Sequence, residues 1–192
     1  MKRKSRKRTR SFVSEEESLL RVIYWFFAHP EDPVGLSDLA EAVRIAKTTA
    51  NRVVTRLAAD GFLNIDVLGR VWRITCSLDH EYNTTLKIPF NLSELYASGL
   101  LPDIQQQYPQ ARAIVFFGSY RKGQDTTDSD IDIAVESEGS SRRPIPFGHI
   151  KVGHRSSVPV TLHVFSRKHV DVNLFADIAN GIVLDGFLEV RP

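Results

Sequence analysis

Apolar residues recur at helical spacing from Leu19 onward, through Val22, Ile23 and Phe26, which predicts an amphipathic helix. Ser14-Glu15-Glu16-Glu17 precedes it in the form of a capping box, with acids at the positive end of the helix dipole. The run His29-Pro30-Glu31-Asp32-Pro33 breaks the chain. Leu36-Ser37 opens a second helix with Leu39, Ala40 and Val43 inward. A third runs from Lys47 to Asp60 on a stripe of Ala50, Val53, Val54 and Leu57, and Gly61 ends it. The period then shortens. Phe62 to Val67 and Val71 to Cys76 read as two strands of a hairpin turning over Leu68-Gly69-Arg70.

Residues 77–92 lack clear periodicity and read as a linker, with Lys87 to Phe90 as an extended piece. Ser93 is placed to cap a helix through Gln107, closed by Tyr108-Pro109. Ala113 to Phe117 is an apolar, β-branched and aromatic run, hence a buried strand. Gly118-Ser119 stops it and starts a short helix up to Gly123. Gly123 to Ser129 is a polar loop holding Asp125 and Asp128. Asp130 to Val135 then alternates acid and apolar with period two, placing Asp130 and Asp132 on one face and Ile131, Ile133 and Val135 toward the core. Ser137 to Pro146 reads as a mobile loop. A strand from Val158 to Phe165, a helix from Lys168 to Ala179 and a strand-like stretch from Ile182 to Val190 complete the chain.

Composition adds little until its distribution is considered. The 192 residues are 42% hydrophobic and 25% charged, an ordinary globular balance. No apolar run is long enough to cross a bilayer, and the basic start has no hydrophobic stretch behind it, so neither a membrane span nor a signal peptide is expected. The single cysteine, Cys76, has no internal disulfide partner, which fits a reducing cytoplasm. Seven of the 25 Lys and Arg fall within the first ten residues. The other 18 face 23 acids, a net of −5. A basic arm (1–11) on a mildly acidic body points to phosphate contact by a tail.

The chemistry concentrates between Phe116 and Glu136. Gly118 lets the main chain approach a ligand closely. Amides and the hydroxyl after it suit an anion. Two carboxylates side by side repel unless a cation lies between them, and hard oxygen ligands beside a phosphate cradle imply Mg²⁺. Arg121 and Lys122 add positive charge in the same turn. Arg142 and Arg143 are candidates to close over a triphosphate.

The pattern Gly118-Ser119, Gly123, Asp130-Ile131-Asp132 resembles the signature of the DNA polymerase beta-like nucleotidyltransferase superfamily, in particular its minimal branch. The resemblance implies that Gly118 and Ser119 contact the triphosphate of an NTP, ATP being the first candidate. It further implies that Asp130 and Asp132 hold the ions of a two-metal Mg²⁺ site, in an enzyme of the EC 2.7.7 type. Members of the family add a third carboxylate from a later strand. The matching strand here, Val158 to Phe165, holds none. Thr161, His163 and Phe165 share one face, and His163 is the nearest chemical substitute as a proton acceptor. Glu136 lies on the aspartate face but roughly 13 Å along the strand from Asp132.

Three helices followed by a hairpin resemble the winged helix-turn-helix family. The resemblance implies DNA contact through Lys47, Thr48, Thr49, Asn51, Arg52 and Arg56 on the third helix and Arg70 at the wing tip. The expected architecture is α+β: a basic arm (1–11), a winged helix (12–76), a linker (77–92) and a nucleotidyltransferase domain (93–192) with a mixed sheet flanked by helices. Two functions remain open. One is nucleotidyl transfer to a hydroxyl on RNA or on a protein, including a small partner toxin. The other is a DNA-binding regulator or antitoxin with a non-catalytic transferase domain.

Overall fold

The computed structural model describes residues 14–139, 141 and 143–190. The basic arm and Arg142 lie outside the described residues. The N-terminal part contains α1 (Glu15–Ala28), α2 (Leu36–Ala42), α3 (Lys47–Ala59), β1 (Leu63–Leu68) and β2 (Val71–Cys76). Ser14 Oγ accepts the Glu17 amide at 3.1 Å, so the cap expected from the sequence is in place. The two strands pair antiparallel, Leu63 opposite Cys76 and Leu68 opposite Val71. Val34 and Ile74 exchange backbone hydrogen bonds of 2.9 Å, tying the chain before α2 to the hairpin. Val22, Ile23, Phe26, Leu39, Val53, Val54, Leu57, Phe62 and Ile74 form one buried cluster. The inward positions read from helical spacing are those that are buried, with Leu19 at the margin.

The stretch after the hairpin differs from expectation. It contains α4 (Tyr82–Thr85), and α5 (Lys87–Ala97) takes in the residues expected to be extended. Pro89 is the third residue of α5, inside the first turn, where a missing N–H costs no intrahelical bond. Pro102 holds the equivalent place in α6 (Leu100–Gln107). The single helix expected from Ser93 to Gln107 is therefore two. They are split at Gly99, whose φ of +80° is left-handed, while the Ser98 hydroxyl accepts the Leu100 amide at 3.2 Å.

The remaining elements are β3 (Ala113–Phe117), α7 (Gly118–Lys122), β4 (Ile131–Glu136), β5 (Ile145–Val152), β6 (Arg155–Phe165), α8 (Val172–Ala179) and β7 (Ile182–Gly186). They build a five-stranded sheet in the order β5-β6-β4-β3-β7. The β4–β6 pair is parallel and the others are antiparallel, so the sheet is mixed as expected. Strand β5 takes the last two residues of the expected loop, Ile145 and Pro146, and runs on through residues 147–152, where no element was expected. Pro146 and Gly148 disguise it in the sequence, and the register shifts between Pro146 and His149.

One face of the sheet packs Ile114, Phe116, Ile131, Ile133, Val135, Val160 and Leu162 against Leu95, Leu100 and Ile104 of α5 and α6. The other face carries Ala113, Val115, Phe117, Ala134 and Phe165 beneath α8. Asp132 is opposite Phe117 in β3 and Thr161 in β6, so it belongs to this second face. The face is thus apolar under α8 and acidic where β4 begins.

Candidate active site

Gly118 follows β3 and opens α7 with φ +76°, and a Cβ there would overlap Asp132 Oδ2. Only glycine allows the backbone to lie against the carboxylate in this conformation. Ser119 follows in the first turn of α7, half-buried. Asp130 immediately precedes β4, and Asp132 is its second residue. Thr161 Oγ1 donates to Asp130 Oδ2 at 2.6 Å. His163 Nε2 lies 2.9 Å from Asp132 Oδ1, with side-chain exposures of 17% and 22%. The parallel pairing of β4 with β6 brings these four residues together, Asp132 beside Thr161 and Ala134 beside His163. Ala134 leaves room for the imidazole, whose other neighbour is the Phe117 ring, edge-on at 5.0 Å.

The loop that delivers Asp130 is held from two sides. Arg155, at the start of β6, donates through Nη1 to the Tyr120 hydroxyl and to Thr126 O at 2.9 Å. Its Nη2 donates to Thr127 O at 2.6 Å and Ser129 O at 3.2 Å. On the other side Asp125 is buried with Lys87 of α5, Nζ to Oδ2 3.1 Å, each side chain 2% exposed. Lys87 Nζ also donates to Asp125 O at 2.8 Å. Asn91, one turn along α5, donates to Asp125 Oδ1 and to Tyr120 O, both at 2.9 Å. Burial pushes the Asp125 carboxyl up, and Lys87 and then Asn91 pull it back. Burial likewise raises the Tyr120 phenol well above its usual range, so it stays protonated.

The other candidates fall as follows. Arg121 is half-buried, and its Nε has no hydrogen-bond partner among the described residues. Lys122 is exposed and 3.7 Å from Asp177 of α8. Glu136 is buried and accepts from Arg167 Nε at 2.9 Å, so it is committed elsewhere. Arg143 is exposed on the wall of a cavity that also includes His163. Lys47, Thr48, Asn51, Arg52 and Arg56 are exposed on α3, Thr49 is half-buried, and Arg70 is exposed at the hairpin turn. Arg52 stands 4.0 Å from Glu15.

Sequence reasoning missed Lys87, Asn91 and Arg155. The first two lie four residues apart, which is one helix face, but only once their segment is recognised as helical. Nothing local marks Arg155.

Among the described residues no group of three or more His, Cys, Asp or Glu side chains is spaced to hold a metal. The site offers two carboxylates against a backbone cradle. This donor set fits Mg²⁺, which takes one or two carboxylates and completes its shell with waters and substrate phosphates.

Residues 98–183 match the family model described as a nucleotidyltransferase domain. The match runs from α6 to the first two residues of β7 and contains every one of the acid-site residues, and it supports the nucleotidyltransferase superfamily and a transferase activity for this part of the chain. No curated protein matches the chain. No helix among the described residues is long and apolar enough to cross a membrane.

Proposed function

We propose that the protein transfers a nucleoside monophosphate from an NTP, ATP being the first candidate, to a hydroxyl acceptor on a protein or an RNA, with Mg²⁺ as cofactor. The observation that carries this reading is the seating of Gly118 against Asp132, which puts the Ser119 turn and the acid pair in one site. Asp130 and Asp132 hold the metal, which when bound neutralises charge on the α-phosphate and the departing pyrophosphate. Gly118 and Ser119 give amide and hydroxyl donors to the phosphates, and Arg121 and Lys122 add positive charge. Thr161 and His163 fix the two carboxylates, and His163 accepts the proton of the attacking hydroxyl. The test is label transfer from each α-labelled NTP, with Mg²⁺ or Mn²⁺, into cell extract. Asp130→Ala and Asp132→Ala are expected to lower it at least 100-fold. A variant as active as the parent rejects the assignment.

A second reading is a DNA-binding regulator or antitoxin with a non-catalytic transferase domain, its partner a small toxin. The strand opposite the aspartates presents Thr161 and His163 rather than a carboxylate, which favours it. A winged-helix front end fits both readings, since α3 exposes Lys47, Asn51, Arg52 and Arg56. The hairpin tip, with Val67, Leu68 and Val71 more than 60% exposed, suits a protein surface better than a phosphate. Cytoplasmic residence accords with the single cysteine. Operator-specific DNA binding with no label transfer selects this second reading.

A further inference from the structure

A cavity of about 890 Å³ opens beside the acid pair, between the end of β6, the segment before β5 and the start of α8. His163 is one of its walls and is also the residue bonded to Asp132. We propose that this cavity receives the acceptor and selects a neutral hydroxyl on a carbon-rich group. The proposal rests on the nucleotidyl-transfer reading above.

Two observations lead to it. The first is the order of the strands. In-line displacement puts the entering and leaving oxygens on opposite sides of the phosphorus. Gly118-Ser119 directly follows β3, Asp132 is on β4 and His163 is on β6, and these three strands are consecutive neighbours in the sheet. With strands about 4.8 Å apart, pyrophosphate held at the β3 end leaves away from β6. The attacking hydroxyl then stands over β6, at His163. The hydroxyl oxygen bonds to the α-phosphorus, the bond from phosphorus to the pyrophosphate oxygen breaks, and the hydroxyl proton leaves to water. Beyond β6 on this side the open space is the cavity.

The second observation is its lining. Phe165, Val170 and Leu174 contribute carbon surface, and among the described residues of the wall the permanent charges are one of each sign, Arg143 and Asp171. Asp171 is already used, accepting the Asn173 and Leu174 amides at 2.9 and 3.1 Å to cap α8. The end of an RNA strand brings a phosphate with each nucleotide and is bound by several cations. Among the described residues of the wall Arg143 is the one such cation, whereas a neutral hydroxyl on an apolar body fits the carbon surface. Small molecules and protein side chains both carry such groups.

The test uses the full chain and 1-naphthol, a fluorescent neutral hydroxyl, as probe. His169→Trp adds bulk at an exposed position of the cavity wall, and Leu174→Trp adds it from α8. Both variants are expected to bind naphthol at least tenfold more weakly while Mg-ATP affinity stays within twofold of the parent. Unchanged naphthol binding in both folded variants overturns the proposal. A loss of ATP affinity equal to that of naphthol also overturns it, because the cavity then houses the base. Equal label transfer to an RNA oligonucleotide by the parent and His169→Trp places the acceptor elsewhere. A parent that binds naphthol but no nucleotide overturns the transfer reading instead. In cell extract, label recovered with protein or in the small-molecule filtrate separates the two acceptor sources.

Discussion

Replacing Lys87 by Met tests the buried pair that anchors the loop before Asp130. Lys87 and Asp125 are each 2% exposed and 3.1 Å apart. Methionine has a similar length and leaves the Asp125 carboxyl with Asn91 as its remaining side-chain partner, at 2.9 Å. Burial already pushes this group up, and Lys87 is the largest influence pulling it down. In the variant the carboxyl avoids carrying an unpaired charge by taking a proton. At pH 7 that costs about 4 kcal/mol, from about three pH units above the ordinary carboxylate value at 1.36 kcal/mol each. The figure agrees with the roughly 3–5 kcal/mol lost when one partner of a buried pair is removed. For a chain of this size it corresponds to a melting temperature lower by about 8–16 °C.

The sign with pH follows. A carboxyl whose folded pKa is raised binds more protons folded than unfolded, so its stabilising contribution is present at low pH and lost as pH rises. The deficit of Lys87→Met relative to the parent is therefore expected to shrink by up to about 2.7 kcal/mol between pH 7 and pH 5. Urea unfolding followed by far-UV dichroism at both pH values measures it. Adding Asp125→Asn to Lys87→Met removes the stranded charge and is expected to recover at least about 2 kcal/mol at pH 7. A loss below about 1 kcal/mol, or the same loss at both pH values, refutes the reasoning.

Gly118→Ala is expected to fold with a loss of about 1–3 kcal/mol from its left-handed backbone and to lose metal-dependent label transfer, since its Cβ displaces Asp132; parent-level transfer contradicts this. Arg155→Met removes donors to three carbonyls of the Asp130 loop, with an expected loss of about 1.5–3 kcal/mol and faster amide exchange at Thr126–Ser129, and protection equal to the parent's would disprove the clamp. Burial pushes the Cys76 thiol up from 9.0 to about 11, so alkylation at pH 8 is expected to run about 100-fold slower than for an ordinary thiol, thiolate being the reactive form; a rate within tenfold of free cysteine contradicts the burial argument.

The acid pair and its glycine were legible because they lie in one strand–turn–strand passage, where period-two alternation and a turn residue are local signals. Thr161 and His163 were legible as neighbours on one face of a strand. Their bonds to Asp130 and Asp132 depend on β6 lying parallel to β4, a register between segments 31 residues apart that no local pattern states. Lys87 to Phe90 misled because Pro89 reads as a helix breaker, and only its first-turn position makes it tolerable. Asp125 read as one more loop acid, and the lysine that buries it lies 38 residues away in a stretch without visible periodicity.

Helix α5 also determines where the part of the chain that carries the acid site begins as a physical object. Phe90 stacks on Tyr24 of α1 at 4.4 Å, so α5 is packed against the N-terminal helices. The same helix sends Lys87 and Asn91 to Asp125 and Glu94 to the Gly153 amide, at 2.7 Å. A fragment beginning at residue 93 keeps every residue of the acid site but discards Lys87 and Asn91, leaving Asp125 buried without either partner. A fragment beginning at residue 77 keeps both. The longer fragment is therefore expected to unfold cooperatively in urea, and the shorter to lose most of that transition at pH 7, although neither loses a residue proposed to touch the nucleotide. Equal stability of the two would mean that the Asp130 loop is set by Arg155 and the sheet alone, and that α5 is only packed against it.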